Sequence, residues 1–182
     1  MDNIAVIITC FNRKNYTLKA LQSLFYAEEH YNRHNTGGIT VKVFLTDDGC
    51  TDGTADAILS TFADKDITIL QGDGSLYWAG GMRMAWHAAL AQQRKWDFFL
   101  LMNDDTLLNP EAFSELMATH HFALKEHGKA GIYSGVCSSS DGKEIRQCAV
   151  ENNVTVFTAL DTVRVLLDVL EETTLGISTI DA

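Results

Sequence analysis

Short runs of β-branched and apolar residues alternate with stretches of helical periodicity from residue 4 onward. No other feature constrains the fold as much. Residues 4–9, 40–45, 67–70 and 97–102 read as strands. Between them, Leu18, Leu21, Leu24 and Phe25 recur at helical spacing after a polar break, and residues 30–38 read as a loop. Ala55, Ile58, Leu59 and Phe62 mark a second helix, and Met82, Ala85, Trp86, Ala89 and Leu90 a third over residues 79–96. Asn109-Pro110-Glu111 is a helix-start signal, with Phe113, Leu116, Met117 and Phe122 as the inner face. Strand-helix alternation of this kind predicts an α/β fold, an open and mostly parallel sheet with helices on both faces. A further strand at 131–137, a turn at Asp141-Gly142 and a returning strand at 144–150 add a C-terminal hairpin. The predicted organisation is a core over 1–150 and a C-terminal helix and tail over 151–182. The apolar face of Leu160, Val163, Leu166, Leu167 and Leu170 caps the sheet or serves a homodimer.

The strands run into carboxylates. Phe98-Phe99-Leu100-Leu101-Met102 leads directly into Asn103-Asp104-Asp105, and the apolar run is expected to be buried on both faces of the sheet. Asp47-Asp48 ends the second strand, and Asp73 lies in the glycine-rich segment 71–81 after the third. In a parallel sheet such loops gather on the edge where open α/β sheets bind ligands. Any one of them alone is equally a helix cap or a polar turn. Together they supply hard oxygen ligands suited to Mg²⁺ or Mn²⁺.

Charge narrows the partners. The formal net charge is -10, from 24 acidic and 14 basic residues. No basic patch is present to displace counter-ions from nucleic acid, so nucleic acid is excluded as a partner. An anionic substrate needs a local fix, such as a metal ion or a helix N-terminus. Arg83 follows Gly80-Gly81 where the third helix begins, and is either an anion clamp or a solvated helix arginine. Trp78 and Tyr77 either stack on a ligand ring or anchor their loop. Cys10, Cys50, Cys137 and Cys148 form no CxxC pair, which fits reduced thiols. The N-terminus is not a signal peptide, and no apolar window reaches a membrane-spanning length. A cytoplasmic protein, at most peripheral to the inner face of a membrane, is expected.

Four motifs in order resemble those of the family 2 glycosyltransferases of GT-A fold. Val6-Ile7-Ile8-Thr9-Cys10-Phe11-Asn12-Arg13 is similar to that family's opening strand and TxxNR turn. Asp47-Asp48-Gly49-Cys50-Thr51-Asp52-Gly53-Thr54 is similar to DDGSTDGT, with Cys50 in place of serine. Gly72-Asp73-Gly74-Ser75-Leu76-Tyr77-Trp78-Ala79-Gly80-Gly81-Met82 resembles the GDGxLWWxGxM loop of a bacterial subgroup active in surface polysaccharide and rhamnosyl-type transfer. Asn103-Asp104-Asp105 resembles the DxD metal motif, with Asn103 in place of the first aspartate.

The resemblance covers residues 4–150 and implies a GT-A-like fold that binds a nucleotide-diphospho-sugar, UDP- or dTDP-linked. It implies metal-dependent, inverting transfer of the sugar to a carbohydrate or lipid-linked acceptor. Thr9 and Asn12 would line the nucleoside pocket, and Asp47 would contact base or ribose. Asp73, Trp78, Arg83 and Asp104 would lie along the donor. Asp105, assisted by Asn103 or Asp104, would hold Mg²⁺ or Mn²⁺ at the diphosphate. Downstream of Asp105 no acidic motif matches the family's general base, and residues after 150 do not resemble an acceptor-binding half. A truncated, inactive nucleotide-sugar-binding domain is therefore an alternative expectation. A sugar nucleotidyltransferase is a weaker one, since Cys10-Phe11-Asn12-Arg13 lacks that class's glycine-rich loop.

Overall fold

The computed structural model describes residues 1–135. Strand β1 (Asp2–Cys10) is followed by α1 (Lys14–His34), β2 (Ile39–Asp47), α2 (Thr54–Thr61), β3 (Ile67–Gln71), α3 (Tyr77–Leu90), β4 (Phe98–Leu101) and α4 (Ala112–His127). All strand pairs are parallel, in the order β3-β2-β1-β4. The chain steps outward from β1 through β2 to β3, then crosses to the opposite side of β1 to form β4. That reversal of winding direction opens a crevice at the carboxyl ends of β1 and β4.

Alternation along β1 sorts its side chains into two cores. Ile4, Val6, Ile8 and Cys10 face Leu21, Leu24, Phe25 and Tyr31 of α1, together with Phe113 and Met117 of α4. Ala5 and Ile7 share the other core with Met82, Ala85 and Ala89 of α3. The period of two in the strand and the i, i+3, i+4 spacing in the helices are both met.

Three expectations need correction. Residues 30–34 are helical, because Tyr31 continues the apolar stripe of Leu24 and Ala27 while the charged neighbours face solvent. Helix α3 ends at Leu90 rather than at residue 96. Trp96 Nε1 donates to the Ala89 carbonyl at 2.9 Å, and Arg94 bonds Asn3, which turns the chain back towards the start of β1. Strand β4 is not buried on both faces. It pairs only with β1 among the described residues, so Phe98, Phe99 and Leu100 are half-buried and Leu101 is exposed.

The chain divides into two units, residues 1–118 and 119–182. In the described part of the second, His120 Nδ1 and Tyr133 Oη lie 3.0 Å apart. Residues 131–135, the start of the expected strand at 131–137, carry no regular structure. The hairpin, the boundary near residue 150 and the C-terminal helix lie outside the described residues. No helix among the described residues is long and apolar enough to cross a membrane.

Candidate functional site

The parallel ladder continues past the strand ends and aligns the loops that follow. Asp48 N donates to Cys10 O at 3.0 Å, Gly72 N to Asp47 O at 2.7 Å and Met102 N to Ile7 O at 3.1 Å. Register brings Cys10 beside Asp47 and Asp47 beside Gln71. The three carboxylate loops and the β1–α1 turn therefore share one edge.

The carboxylates on that edge do different things. Asp47 is buried, and its Oδ1 accepts the Cys50 N–H at 2.6 Å, closing the turn after β2. Asp48 is also buried and faces the glycine-rich segment. It accepts Gly74 N–H at 3.0 Å, Leu76 N–H at 3.1 Å and Tyr77 N–H at 3.0 Å. Asp48 thus satisfies the segment leading into α3 and the first N–H of that helix, Tyr77. The two loops approach so closely that a Cβ on Gly49 would lie 3.1 Å from Gly74 N, and both glycines have positive φ. Tyr77 also has φ 53, an uncommon conformation for a bulky residue, fixed by its bond to Asp48. Asp52 joins two helices, accepting the Lys14 N–H at 3.0 Å and the Thr54 N–H at 3.1 Å. The Thr54 hydroxyl bond and the Lys14 N–H hold its carboxyl below the usual range. Asp73 accepts both the Ser75 hydroxyl, at 2.6 Å, and the Ser75 N–H, which lower its pKa.

The pair at the end of β4 is engaged by a cation instead. Arg13 Nη1 lies 3.2 Å from Asp104 Oδ1, and Nη2 lies 2.7 Å from Asp105 Oδ2. Asp104 is buried, and its Oδ2 has no hydrogen-bond partner among the described residues. Burial raises the Asp104 pKa, and the Arg13 charge opposes that shift. The hydrogen bond to Asp105 raises the Arg13 pKa in turn. Arg13 follows β1 and Asp104 follows β4, so this cluster stands at the crevice where the winding reverses.

The remaining expected site residues are distributed around it. Asn103 Oδ1 accepts the Trp78 indole N–H at 2.9 Å, tying the glycine-rich segment to the acidic motif. Asn12, at φ 52, accepts the Thr51 N–H at 2.7 Å, and its own N–H points to Cys50 Sγ at 3.2 Å. The Cys10 and Cys50 sulfurs are 3.9 Å apart, and burial raises both thiol pKa values. Thr9 faces α3, where its Oγ1 donates to Thr46 O at 3.3 Å and would lie 2.1 Å from a Cβ on Gly81. Arg83 is exposed and makes no hydrogen bond or ion pair with the described residues.

No group of three or more His, Cys, Asp or Glu suited to a metal exists among the described residues. Mg²⁺ does not need such a cage. It is commonly held by one or two carboxylates, with substrate phosphates and water completing the shell. Asp104 and Asp105, one with a buried unpartnered oxygen, fit that donor set. Asn103 contributes less, since its carbonyl oxygen already serves Trp78. Arg13 is the site residue that the sequence motifs contain but did not single out. Its signal is a cation directly after the first strand of a strongly acidic chain.

A family model described as glycosyl transferase family 2 matches residues 5–143. No curated protein matches the sequence. Among solved structures, S. aureus TarS 1-349 matches with TM-score 0.50 and 19% identity, over 76% of this chain and 39% of that one. TarS 1-349 in complex with UDP matches with TM-score 0.51 and 20% identity, over 76% and 39%. The complex of TarS 1-349 with UDP-GlcNAc matches with TM-score 0.51 and 19% identity, over 76% and 38%. At such identity the likeness is one of fold. The chain spans about two-fifths of the length of these structures.

Proposed function

The chain belongs to glycosyl transferase family 2, and from that membership we propose that it binds a nucleotide-diphospho-sugar at the carboxyl edge of the sheet for transfer of the sugar. The acid pair at the crevice between β1 and β4, with the unpartnered Asp104 oxygen, is the observation that carries this reading. A buried carboxylate oxygen without a partner is costly, and a ligand that supplies a cation removes the cost. The TarS structures hold UDP and UDP-GlcNAc, which favours a UDP-linked donor here.

The donor diphosphate lies against Asp104 and Asp105, with Arg13 as the cation at the pair and Arg83, exposed on α3, as a second candidate clamp. Asp47 accepts from the base or ribose. Thr9 and Asn12 shape the nucleoside pocket by holding the end of β2 at Thr46 and the Thr51 turn, since their side-chain oxygens are already engaged. Trp78 and Tyr77, both exposed, offer stacking surface beside Asp73. Asp104 and Asp105 would hold a divalent ion, which would supply charge stabilisation for the departing diphosphate. The acceptor hydroxyl attacks the anomeric carbon as the bond to the diphosphate oxygen breaks, with inversion, and its proton passes to a base outside the residues assigned here. Residues 1–150 form the donor core in this reading, and 151–182 pack against it or mediate self-association. The acceptor is a carbohydrate or lipid-linked glycan of surface polysaccharide synthesis.

Calorimetric titration of UDP, dTDP and GDP, with and without Mn²⁺, tests the reading. UDP or dTDP binding that requires Mn²⁺ is expected. Asp105→Ala should abolish the metal requirement, and Asp47→Ala should weaken the nucleotide without removing it. Absence of metal-dependent binding for all three nucleotides overturns the donor site.

A further inference from the structure

The acid pair already holds a cation, and that cation belongs to the protein. Arg13 spreads one guanidinium across one oxygen of Asp104 and one of Asp105. One positive charge thus faces two negative ones. The Asp104 side chain is 8% exposed and that of Arg13 is 43%, so the arginine can swing into water while the aspartate stays buried. The guanidinium, while it bridges the pair, also lies 5.2 Å from the centre of the exposed Tyr16 ring.

A hard divalent ion would draw on the same two carboxylates. It would approach their oxygens to about 2.0–2.6 Å and would repel a guanidinium bonded to the same groups. Asp104 Oδ2, buried and unpartnered, marks the position that Arg13 leaves unsatisfied. We propose that Arg13 is a displaceable counter-ion of this pair: it neutralises Asp104 and Asp105 in the donor-free protein and yields them to the divalent ion. The freed guanidinium then pairs with the diphosphate that accompanies the metal. This last step rests on the donor-site reading above, whereas the competition between arginine and metal does not. Metal alone is opposed by the arginine, and nucleotide gives the arginine a new partner. Metal and nucleotide therefore bind with positive coupling.

The test titrates Mn²⁺ alone into wild type, Arg13→Gln and Arg13→Lys, with the free ion counted by electron paramagnetic resonance. Thermal melts check folding; the Arg13 carbonyl that accepts the Tyr16 N–H is untouched by these changes. Removing one positive charge at this range from a divalent ion gives Arg13→Gln about tenfold tighter Mn²⁺ binding after screening. Arg13→Lys keeps the charge and stays near wild type. With UDP present, the factor by which nucleotide tightens Mn²⁺ should fall in Arg13→Gln by a similar amount. Equal or weaker Mn²⁺ binding by Arg13→Gln overturns the proposal, as does absence of Mn²⁺ binding in every protein. So does a gain that persists when Asp105→Asn is added, because the ion would then sit elsewhere. If no nucleotide binds but Arg13→Gln gains Mn²⁺ affinity through Asp105, the counter-ion role stands and the donor reading falls.

Discussion

Asp48 should be the carboxylate that the fold can least spare. It is 3% exposed and accepts three backbone N–H groups, from Gly74, Leu76 and Tyr77, at 3.0–3.1 Å. Those bonds fix the segment leading into α3 and hold Tyr77 at positive φ. A hydrogen bond to a charged acceptor contributes about 1.5–3 kcal/mol, and a buried donor left unpaired costs about 1–3 kcal/mol. Three such bonds are not additive, and removing the buried charge returns part of the loss. Asp48→Ala is therefore expected to cost about 4 kcal/mol, a large share of a typical domain stability of about 5–15 kcal/mol. For a chain of this length that lowers the melting temperature by roughly 8–16 °C. Asp48→Asn keeps the shape and one acceptor oxygen, and should cost about half as much. Urea unfolding followed by tryptophan fluorescence measures both, with Asp73→Ala as the control. Asp73 makes similar bonds to Ser75, but on an exposed loop. The reasoning fails if Asp48→Ala lies within about 1 kcal/mol of wild type, the ordinary cost of a point mutation. It also fails if Asp73→Ala costs as much.

Asp104 and Asp52 should respond to pH with opposite signs. Burial raises the Asp104 pKa, so the native state keeps that proton to higher pH than the unfolded chain, and stability falls as pH rises through the folded value. Asp104→Asn should therefore melt above wild type at pH 7, with the advantage vanishing only well below the ordinary aspartate value of about 3.9, where the acid is neutral in both states. The Asp52 pKa is lowered by its bonds from Thr54 and Lys14, so its stabilisation is present above the unfolded value and lost as pH falls through the folded one. Asp52→Ala should melt below wild type at pH 7, and the gap should close only as pH falls through the lowered folded value, beneath the ordinary aspartate range. Gly81→Ala should lose about 2 kcal/mol in denaturant, because its Cβ meets Thr9 Oγ1 at 2.1 Å and Thr9 Cβ at 2.7 Å. Adding Thr9→Ala removes only the first of these contacts, so it should restore part of the loss and not all of it.

The order and type of the elements were legible because each strand is a β-branched run and each helix carries a regular apolar stripe. Their ends were less so. Residues 30–34 look like loop by polarity, yet Tyr31 alone extends the stripe, and Asn32 fastens the helix end to Ile39 through both its amide atoms. The far end of α3 depends on Trp96 and Arg94 finding Ala89 and Asn3, partners that no local pattern announces. The exposure of β4 follows from strand order, which periodicity does not encode. The carboxylate loops were visible as motifs, and the sheet brings them to one edge as a parallel arrangement requires. Arg13 was quoted within a motif, but its partner Asp105 lies 92 residues away in sequence. Only the crossing from β3 to β4 makes them neighbours.

What separates the acids on that edge is who takes their oxygens. Asp48, Asp52 and Asp73 all accept backbone N–H groups, so they set the shapes of turns and helix starts. A backbone donor cannot leave without the loop moving, and those carboxylates are committed when the chain folds. Asp104 and Asp105 are held by a side chain, which can leave at the cost of a rotamer change. An acceptor whose donor is mobile is available for exchange, and one whose donor is backbone is not. Substitutions should divide along the same line. Changes at Asp48 and Asp52 should act on stability first and on binding through it, whereas changes at Asp105 should alter metal affinity while the melting temperature stays near wild type.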